Sequence, residues 1–319
     1  MNAIVIDGTT IRTQILERVE KDLARLQRSG ADLPGLAVVR VGYDAASSAY
    51  LRQKKITAQS LGFNYHEHLL DSSAREWEVI ELIRQLNADP AVHGILLQLP
   101  LPPHLQEQPI MAAIAAEKDI DGLRAVHAGD SYADMNGYAP CAPAAVMRIL
   151  EEIDFDPAGK HAVVVGRSQL VGKSAAMMLL AADATVTICH SRSDVATAVK
   201  HADLVVAALG VPRFIQGAWI KRGAVVIDVG INRVEGVLVG DVEFDEARRR
   251  AAYLSPVPGG VGAVTVAMLM QNTLRAWSES FSANARCTPE KPAHPSWPIP
   301  PWPIMQPPSP VTAEPAPVI

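Results

Sequence analysis

Apolar and polar positions along the chain fall into two recurring patterns. Short runs rich in valine, isoleucine and leucine lie at Leu36–Val41, Gly94–Leu99, Ala162–Val165, Ala184–Cys189, Leu204–Ala208 and Ala224–Val229. Between several of them apolar residues recur at helical spacing, at Ala49–Ser60, Arg75–Asn87, Ser174–Ala182 and Val195–His201. Uninterrupted apolar strands separated by helices predict parallel sheets covered on both faces, and so an α/β fold. The stretch Gly122–Pro143 is polar and irregular and predicts a boundary, with one domain over 1–122 and a second over 140–261. No internal repeat of fixed period is present. From Pro289 onward lie half of the chain's 24 prolines, in runs such as WPIPPWPIMQPPSP. Such a segment sustains neither a helix nor a central strand, so residues 281–319 are expected to form an extended or disordered tail. A ligand for a proline-recognising module is the other reading of the same composition.

Length and charge narrow the class. At 319 residues with 49% hydrophobic and 20% charged residues, the chain has globular composition and the size of two ordinary domains. The longest purely apolar run, Ala175–Ala182, is far shorter than a membrane span. The start, MNAIVIDGTT, shows neither the basic region nor the apolar stretch of a signal peptide, and a cytoplasmic location is expected. Cys141, Cys189 and Cys287 form no C-x-x-C, which argues against a disulfide framework or a cysteine metal site. A formal net charge of −5 argues against a dominant electrostatic grip on nucleic acid.

The sharpest local signal is VVVGRSQLVGKSAAMMLL at 163–180. A buried strand runs into Gly166, a short turn follows, and a helix opens near Gly172. That is the setting of a dinucleotide-binding turn, although Gly-x-Ser-x-x-x-Gly also fits an ordinary strand–helix connection. The next strand adds weight. Enzymes that use NAD place an acid near its end for the ribose hydroxyls, whereas TVTICHSRSD ends in His190, Ser191 and Arg192. A hydroxyl and a guanidinium suit a 2′-phosphate, and Arg167 supplies a second cation, so NADP is the expected cofactor.

In the first half, Tyr50 and Lys54 are four apart on a predicted helix and share one face. Taken alone the pair also suits a solvated surface. Gln98 sits near the end of an otherwise apolar strand, where open α/β sheets bind ligands and a buried amide needs partners. Lys118-Asp119-Ile120-Asp121-Gly122 places two carboxylates at a turn, which also reads as a plain helix stop.

Together these segments form a recognisable order. Ser47-x-x-Tyr50-x-x-x-Lys54, GILLQLPLP (94–102), KDIDG (118–122), PCAP (140–143), VVGRSQLVGKS, TICHSR, GAVVIDVGINR (223–233) and SPVPGGVGAVTVAMLMQNTL (255–274) resemble the bifunctional methylenetetrahydrofolate dehydrogenase/methenyltetrahydrofolate cyclohydrolase family over about residues 3–277. The resemblance implies an N-terminal α/β catalytic domain and a C-terminal Rossmann-type NADP-binding domain, with the last helix, at about 262–277, packing back on the first domain. It implies oxidation of 5,10-methylenetetrahydrofolate with NADP and hydrolysis of the methenyl product to 10-formyltetrahydrofolate, in a homodimer. It also implies that Tyr50 stacks on the pterin, Lys54 handles the proton, Gln98 holds Lys54, and Asp121 bonds the pterin ring. Folate contacts are expected at Pro258, Gly259 and Gly260. Cofactor contacts are expected at Gly166, Arg167, Ser168, Gly172, Ser191, Arg192, Ile231 and Thr265.

The chain departs from the family pattern at Ala142, Ala145, Leu123, Arg124, Ala263 and Val264, positions expected near the folate and nicotinamide pockets. These departures predict a dehydrogenase step impaired more than the cyclohydrolase step. Two other readings stand beside the leading one: another two-domain NADP dehydrogenase of shikimate type, and a folate-binding paralogue that has lost turnover.

Overall fold

A computed structural model describes residues 2–28, 32–43, 45–124 and 137–285, with side chains for all of these except 45–50 and 281–285. The proline-rich segment from 286 onward and most of the Gly122–Pro143 stretch lie outside the described residues. The chain begins with β1 (Ile4–Val5), α1 (Gly8–Gln27), β2 (Gly35–Val41), α2 (Ala45–Ser60), β3 (Asn64–Leu70), α3 (Glu76–Ala88), β4 (Gly94–Leu97) and α4 (Glu107–Ala113). It continues with α5 (Cys141–Glu152), β5 (His161–Val165), α6 (Ser174–Ala181), β6 (Thr185–Cys189), α7 (Val195–Lys200), β7 (Leu204–Ala207) and β8 (Val225–Asp228). A hairpin of β9 (Asn232–Val234) and β10 (Val237–Val239), then α8 (Phe244–Arg248), β11 (Tyr253–Leu254) and α9 (Val261–Ala285) complete it.

Two parallel sheets result. The first is three-stranded, ordered β3-β2-β4, and the second six-stranded, ordered β1-β11-β8-β7-β5-β6. Strand periodicity divides each sheet between two cores. In β2, Leu36 and Val38 face a core shared with α1, α2 and α9, while Ala37, Val39 and Val41 face α3 and α4. In β5, Ala162 and Val164 face α1, α5, α6 and α9, and Val163 and Val165 face α7 and α8. Such residues are buried on both faces, which is why their strands read as unbroken apolar runs.

The structure differs from the sequence expectation in two places that matter for the site. Residues 4–5, expected in the first domain, form β1 at the edge of the six-stranded sheet, where Ile4 N–H donates to Ala252 O (2.8 Å). The last helix, expected over 262–277, runs Val261–Ala285, so residues 281–285 are helical rather than tail. Its apolar positions do not stop at 277, and no glycine or proline lies between 277 and 285.

Helices α1 and α9 each serve both cores. Ile11 and Ile15 of α1 and Val261, Val264 and Ala267 of α9 pack over the large sheet. Val19 and Leu23 of α1 and Leu269, Met270, Leu274 and Trp277 of α9 pack over the small one. Asp7 starts α1 by accepting from the Thr9 and Thr10 N–H groups (2.9 and 3.2 Å). Gly8 then donates to Gly259 O (2.9 Å), and a Cβ on Gly8 would collide with Gly260 O. Trp277 is 2% exposed in the core over the small sheet. Trp277→Ala is expected to cost about 3–5 kcal/mol, as large-to-small changes of a buried aromatic do, read from denaturant unfolding.

Candidate active site

In the small sheet the chain order reverses about β2, with β3 on one side and β4 on the other. Ligands of open α/β sheets bind outside the carboxyl ends of the strands at such a reversal. Gln98 follows the last residue of β4 and extends the ladder by one bond, its N–H donating to Val39 O (2.9 Å). Its amide donates to Leu99 O (2.6 Å), which turns Oε1 toward Lys54, whose Nζ lies 3.4 Å away. Lys54 is 7% exposed, in the third turn of α2. Burial pushes its ammonium below the ordinary lysine range, and the Asp121 carboxylate opposes that shift. Cys141, the first residue of α5, joins the cluster, with its Sγ 3.6 Å from Ile120 O. Burial, followed by the Asp121 carboxylate, pushes the thiol up. The structure therefore brings together Lys54, Gln98 and Asp121, and adds Cys141. The Tyr50 side chain lies outside the described residues, while its backbone belongs to α2.

In the large sheet the order reverses between β5 and β7. There Gly166 adopts φ +128, and a Cβ on it would strike Ala208 O. A Cβ on Gly172 would strike Gly166 O, so this turn passes close to the chain on both sides in a way only glycine permits. Ser168 caps the wide helical turn Gln169–Lys173, its Oγ accepting from the Val171 and Gly172 N–H groups (3.3 and 3.4 Å). Arg167, Ser191 and Arg192 are exposed at the same carboxyl edge. His190 shapes the turn after β6, its Nδ1 accepting from the Arg192 N–H (3.2 Å). These residues fit a dinucleotide: a glycine turn at the reversal point, cations beside it, and no acid at the end of β6.

A third group of candidates lies at the start of α9. Pro258 is exposed, Gly259 takes φ +96, and Gly260 is buried. Ile231 is 56% exposed, and a Cβ on Gly262, one turn before Thr265, would meet its Cδ1. Among the departures, Leu123, Ala145 and Val264 belong to hydrophobic cores rather than to pocket walls. Only Ala142, Ala263 and Arg124 remain half-buried, and the Arg124 N–H donates to the buried Asp119 carboxylate (2.8 Å). The expected effect of these departures on hydride transfer therefore rests on Ala142 and Ala263.

Sequence reasoning missed a second layer of polar residues behind the site. Asp241, 0% exposed, accepts from the Leu209 and Gly210 N–H groups (2.8 and 2.9 Å) and from Asn232 Nδ2 (2.8 Å). Asp228 accepts from the Gly230, Asp241 and Val242 N–H groups (2.9, 3.0 and 2.9 Å). Burial still pushes its carboxyl up to about 7. Together the two carboxylates hold the turns that follow β7 and β8. An aspartate ending the apolar run Ala224–Val229 was the available signal, because a buried acid must find donors.

Comparison with known proteins agrees with both halves of this geometry. Residues 6–121 match the tetrahydrofolate dehydrogenase/cyclohydrolase catalytic domain, and residues 140–281 match the NAD(P)-binding domain of the same family. The chain is 52% identical over 277 residues to bifunctional protein FolD 2 of Myxococcus xanthus, covering 86% of this chain and 96% of that protein. It is 49% identical over 278 residues to the bifunctional protein FolD of Moorella thermoacetica, covering 86% and 99%. Among solved structures, the Trypanosoma brucei methylenetetrahydrofolate dehydrogenase-cyclohydrolase, complexed with NADP and an inhibitor, aligns with a TM-score of 0.85 at 39% identity, covering 88% and 99%. The Campylobacter jejuni enzyme aligns with a TM-score of 0.84 at 37% identity, covering 87% and 99%. With both domains matched in order and nearly the full length of its relatives covered, the chain belongs to the tetrahydrofolate dehydrogenase/cyclohydrolase family.

Proposed function

We propose that this protein oxidises 5,10-methylenetetrahydrofolate to 5,10-methenyltetrahydrofolate with NADP and hydrolyses the product to 10-formyltetrahydrofolate. The observation that carries the reading is the cluster of buried Lys54 with half-buried Gln98 and Asp121, in a chain that also holds a glycine turn flanked by Arg167 and Arg192. The shikimate-type alternative is set aside because both domains match the folate family. The paralogue without turnover is not favoured, because Lys54 is present in the cluster its chemistry requires. A spectrophotometric assay with methylenetetrahydrofolate and each nicotinamide cofactor tests the proposal directly. Absence of both cofactor reduction and methenyl hydrolysis would overturn it.

NADP, when bound, supplies the acceptor for the hydride that leaves the methylene bridge. Gly166, Arg167, Ser168, Gly172, Ser191, Arg192, Ile231 and Thr265 would hold it. The arginines and Ser191 would supply charged and hydroxyl donors to its 2′-phosphate, and the Ser168 hydroxyl fixes the turn after Gly166. For hydrolysis, the methenyl bridge is a cationic carbon open to attack by water. The water oxygen bonds to the bridge carbon as one water proton passes to the Lys54 amine. The bond from that carbon to N5 then breaks with its electron pair going to N5, which takes that proton back from Lys54, while the remaining hydroxyl proton leaves to solvent as the formyl C=O forms. An amine takes a proton only while neutral, and burial of Lys54 favours that form. Gln98 Oε1 orients the amine, Asp121 bonds the pterin, Tyr50 stacks on it, and Pro258–Gly260 close the substrate side. The proposal includes a cytoplasmic homodimer. Its support is that β3 and β6 end their sheets among the described strands, with Leu69 and Ile188 exposed there, and open edges invite pairing.

Four outcomes are expected. Lys54→Met should lower methenyltetrahydrofolate hydrolysis by about 10²–10⁴, the range of general acid–base catalysis, while folate still binds. The same variant should remove a pH dependence of stability. With its folded-state pKa lowered, Lys54 binds fewer protons folded than unfolded between that value and 10.5, so stability rises with pH across that window. Thermal melts of both proteins over alkaline pH check this. NADP should bind more tightly than NAD, and Arg192→Glu should shrink the gap by about ten- to a hundredfold, measured as dissociation constants. A chain ended after Ala285 should turn over and melt like the full chain, since its relatives are covered at 96% and 99% of their length without the proline-rich segment.

A further inference from the structure

Asn272 lies in α9, three turns beyond the glycine turn, and is 8% exposed. Its Nδ2 points at three acceptors: Ile120 O (2.8 Å), Ala139 O (3.3 Å) and Cys141 Sγ (3.7 Å). An amide nitrogen carries only two hydrogens, so the two carbonyls take the main bonds and the sulfur a weak third contact. The surroundings also fix which end of the amide points there, because all three neighbours accept.

The acceptors occupy telling positions. Ile120 immediately precedes Asp121, and Ala139 comes two residues before Cys141, which starts α5. Between them the chain crosses from one domain to the other. At the crossing Gly122 takes φ +66 and lies so close to the returning stem that a Cβ would strike Tyr138 O. One side chain from a third element therefore joins both stems of the crossing. Each stem delivers one group to Lys54.

We infer that Asn272 is a positioning residue for the folate chemistry: its amide fixes the Asp121 turn and the Cys141 helix start relative to each other, and so relative to Lys54. It touches no substrate and acts through Asp121 and Cys141. The Gly166 turn, the Ser191–Arg192 turn and the loops held by Asp228 and Asp241 take no hydrogen bond from it, so the 2′-phosphate end of the cofactor site is built from other elements. The inference rests on the function proposed above for the Lys54 cluster.

The groups that set the field at Lys54 are Asp121 and Cys141, with Asp119 acting on Cys141 from behind; Gln98 and Asn272 face the cluster as neutral amides. If Asn272 releases the Asp121 turn, the carboxylate draws back and ceases to favour the ammonium form. Protonation of Lys54 then requires a lower pH. The acid limb of the hydrolysis profile should therefore move to lower pH while its plateau falls.

The test compares the unmodified full-length protein with Asn272→Ala and Asn272→Ser, following methenyltetrahydrofolate hydrolysis from acid to alkaline pH and NADP binding by titration. Asn272→Ala is expected to lose about ten- to a hundredfold in hydrolysis, the scale of a small misplacement of reacting groups. Its acid limb should lie at lower pH, and NADP affinity should stay within about twofold, as for a distant, independent site. Asn272→Ser keeps one donor and should recover part of the rate and the original limb. An unchanged rate overturns the inference, and so does an equal loss of hydrolysis and NADP binding with an unmoved pH profile. Failure of both variants to fold also overturns it, since that outcome makes Asn272 a structural residue only. If the unmodified protein does not hydrolyse the substrate, the functional proposal fails rather than this one.

Discussion

The packing of α1 and α9 against both sheets is the constraint on which the site depends. Each helix places one end over the large sheet and the other over the small sheet, through Ile11, Ile15, Val261 and Val264 at one end and Val19, Leu23, Leu274 and Trp277 at the other. Two crossings with buried side chains along their length resist relative movement of the sheets far better than a single polypeptide linker. The same helices also begin at the site. Gly8 at the start of α1 bonds Gly259, and α9 grows directly out of the Gly259–Gly260 turn. Two bridging helices thus start at one turn, and the Gly8–Gly259 bond fixes their starts relative to each other.

The amine of Lys54 illustrates what that rigidity makes possible. Removing an ammonium from water is costly, and a lysine at 7% exposure bears that cost either by pairing or by losing its proton. Here both tendencies operate, since burial favours the neutral amine and Asp121 favours the charged one. The balance depends on how far Asp121 stands from Nζ. That distance is set by backbone, through Gln98 at the strand end on one side and the Ile120 carbonyl on the other. A group whose proton affinity is tuned by two opposing effects needs its neighbours held firmly. The Ile120, Ala139 and Gln98 bonds do that just beyond the end of β4.

The sequence discloses those parts of this molecule in which a residue's environment repeats along the chain. Strands buried on both faces, such as Ala162–Val165 and Leu204–Ala207, announce themselves because every position is apolar. Strand β3 does not, since it lies at a sheet edge and its residues Asn64, His66 and Glu67 meet solvent. Helix α1 was legible in principle: Ile11, Ile15, Val19 and Leu23 recur at intervals of four, but each short window holds one apolar residue among polar ones. Lys54 and Gln98 were visible as unusual residues in their own segments. Their pairing was not, because residues 44 apart meet only after β2 and β4 align. Motif resemblance supplied that link. The roles of Asp241 and Asn272 stayed hidden for the same reason, as each bonds backbone groups brought to it by other elements.

The departures from the family pattern show how the structure changes the weight of a sequence observation. Val264 and Ala145 stand in conspicuous motifs, yet both are 0% exposed within the core shared by α1, α5 and α9. Substitution there alters how helices pack, and a core can absorb such a change by repacking. Ala142 and Ala263 are different, because they are half-buried at the starts of α5 and α9. Ala142 directly follows Cys141 of the Lys54 cluster, and the Ala263 N–H donates to Gly260 O (3.1 Å) in the turn from which α9 grows. A side chain at either place is not enclosed by a packed core, so a substitution there is not taken up by core repacking and instead changes the surface that the helix start presents.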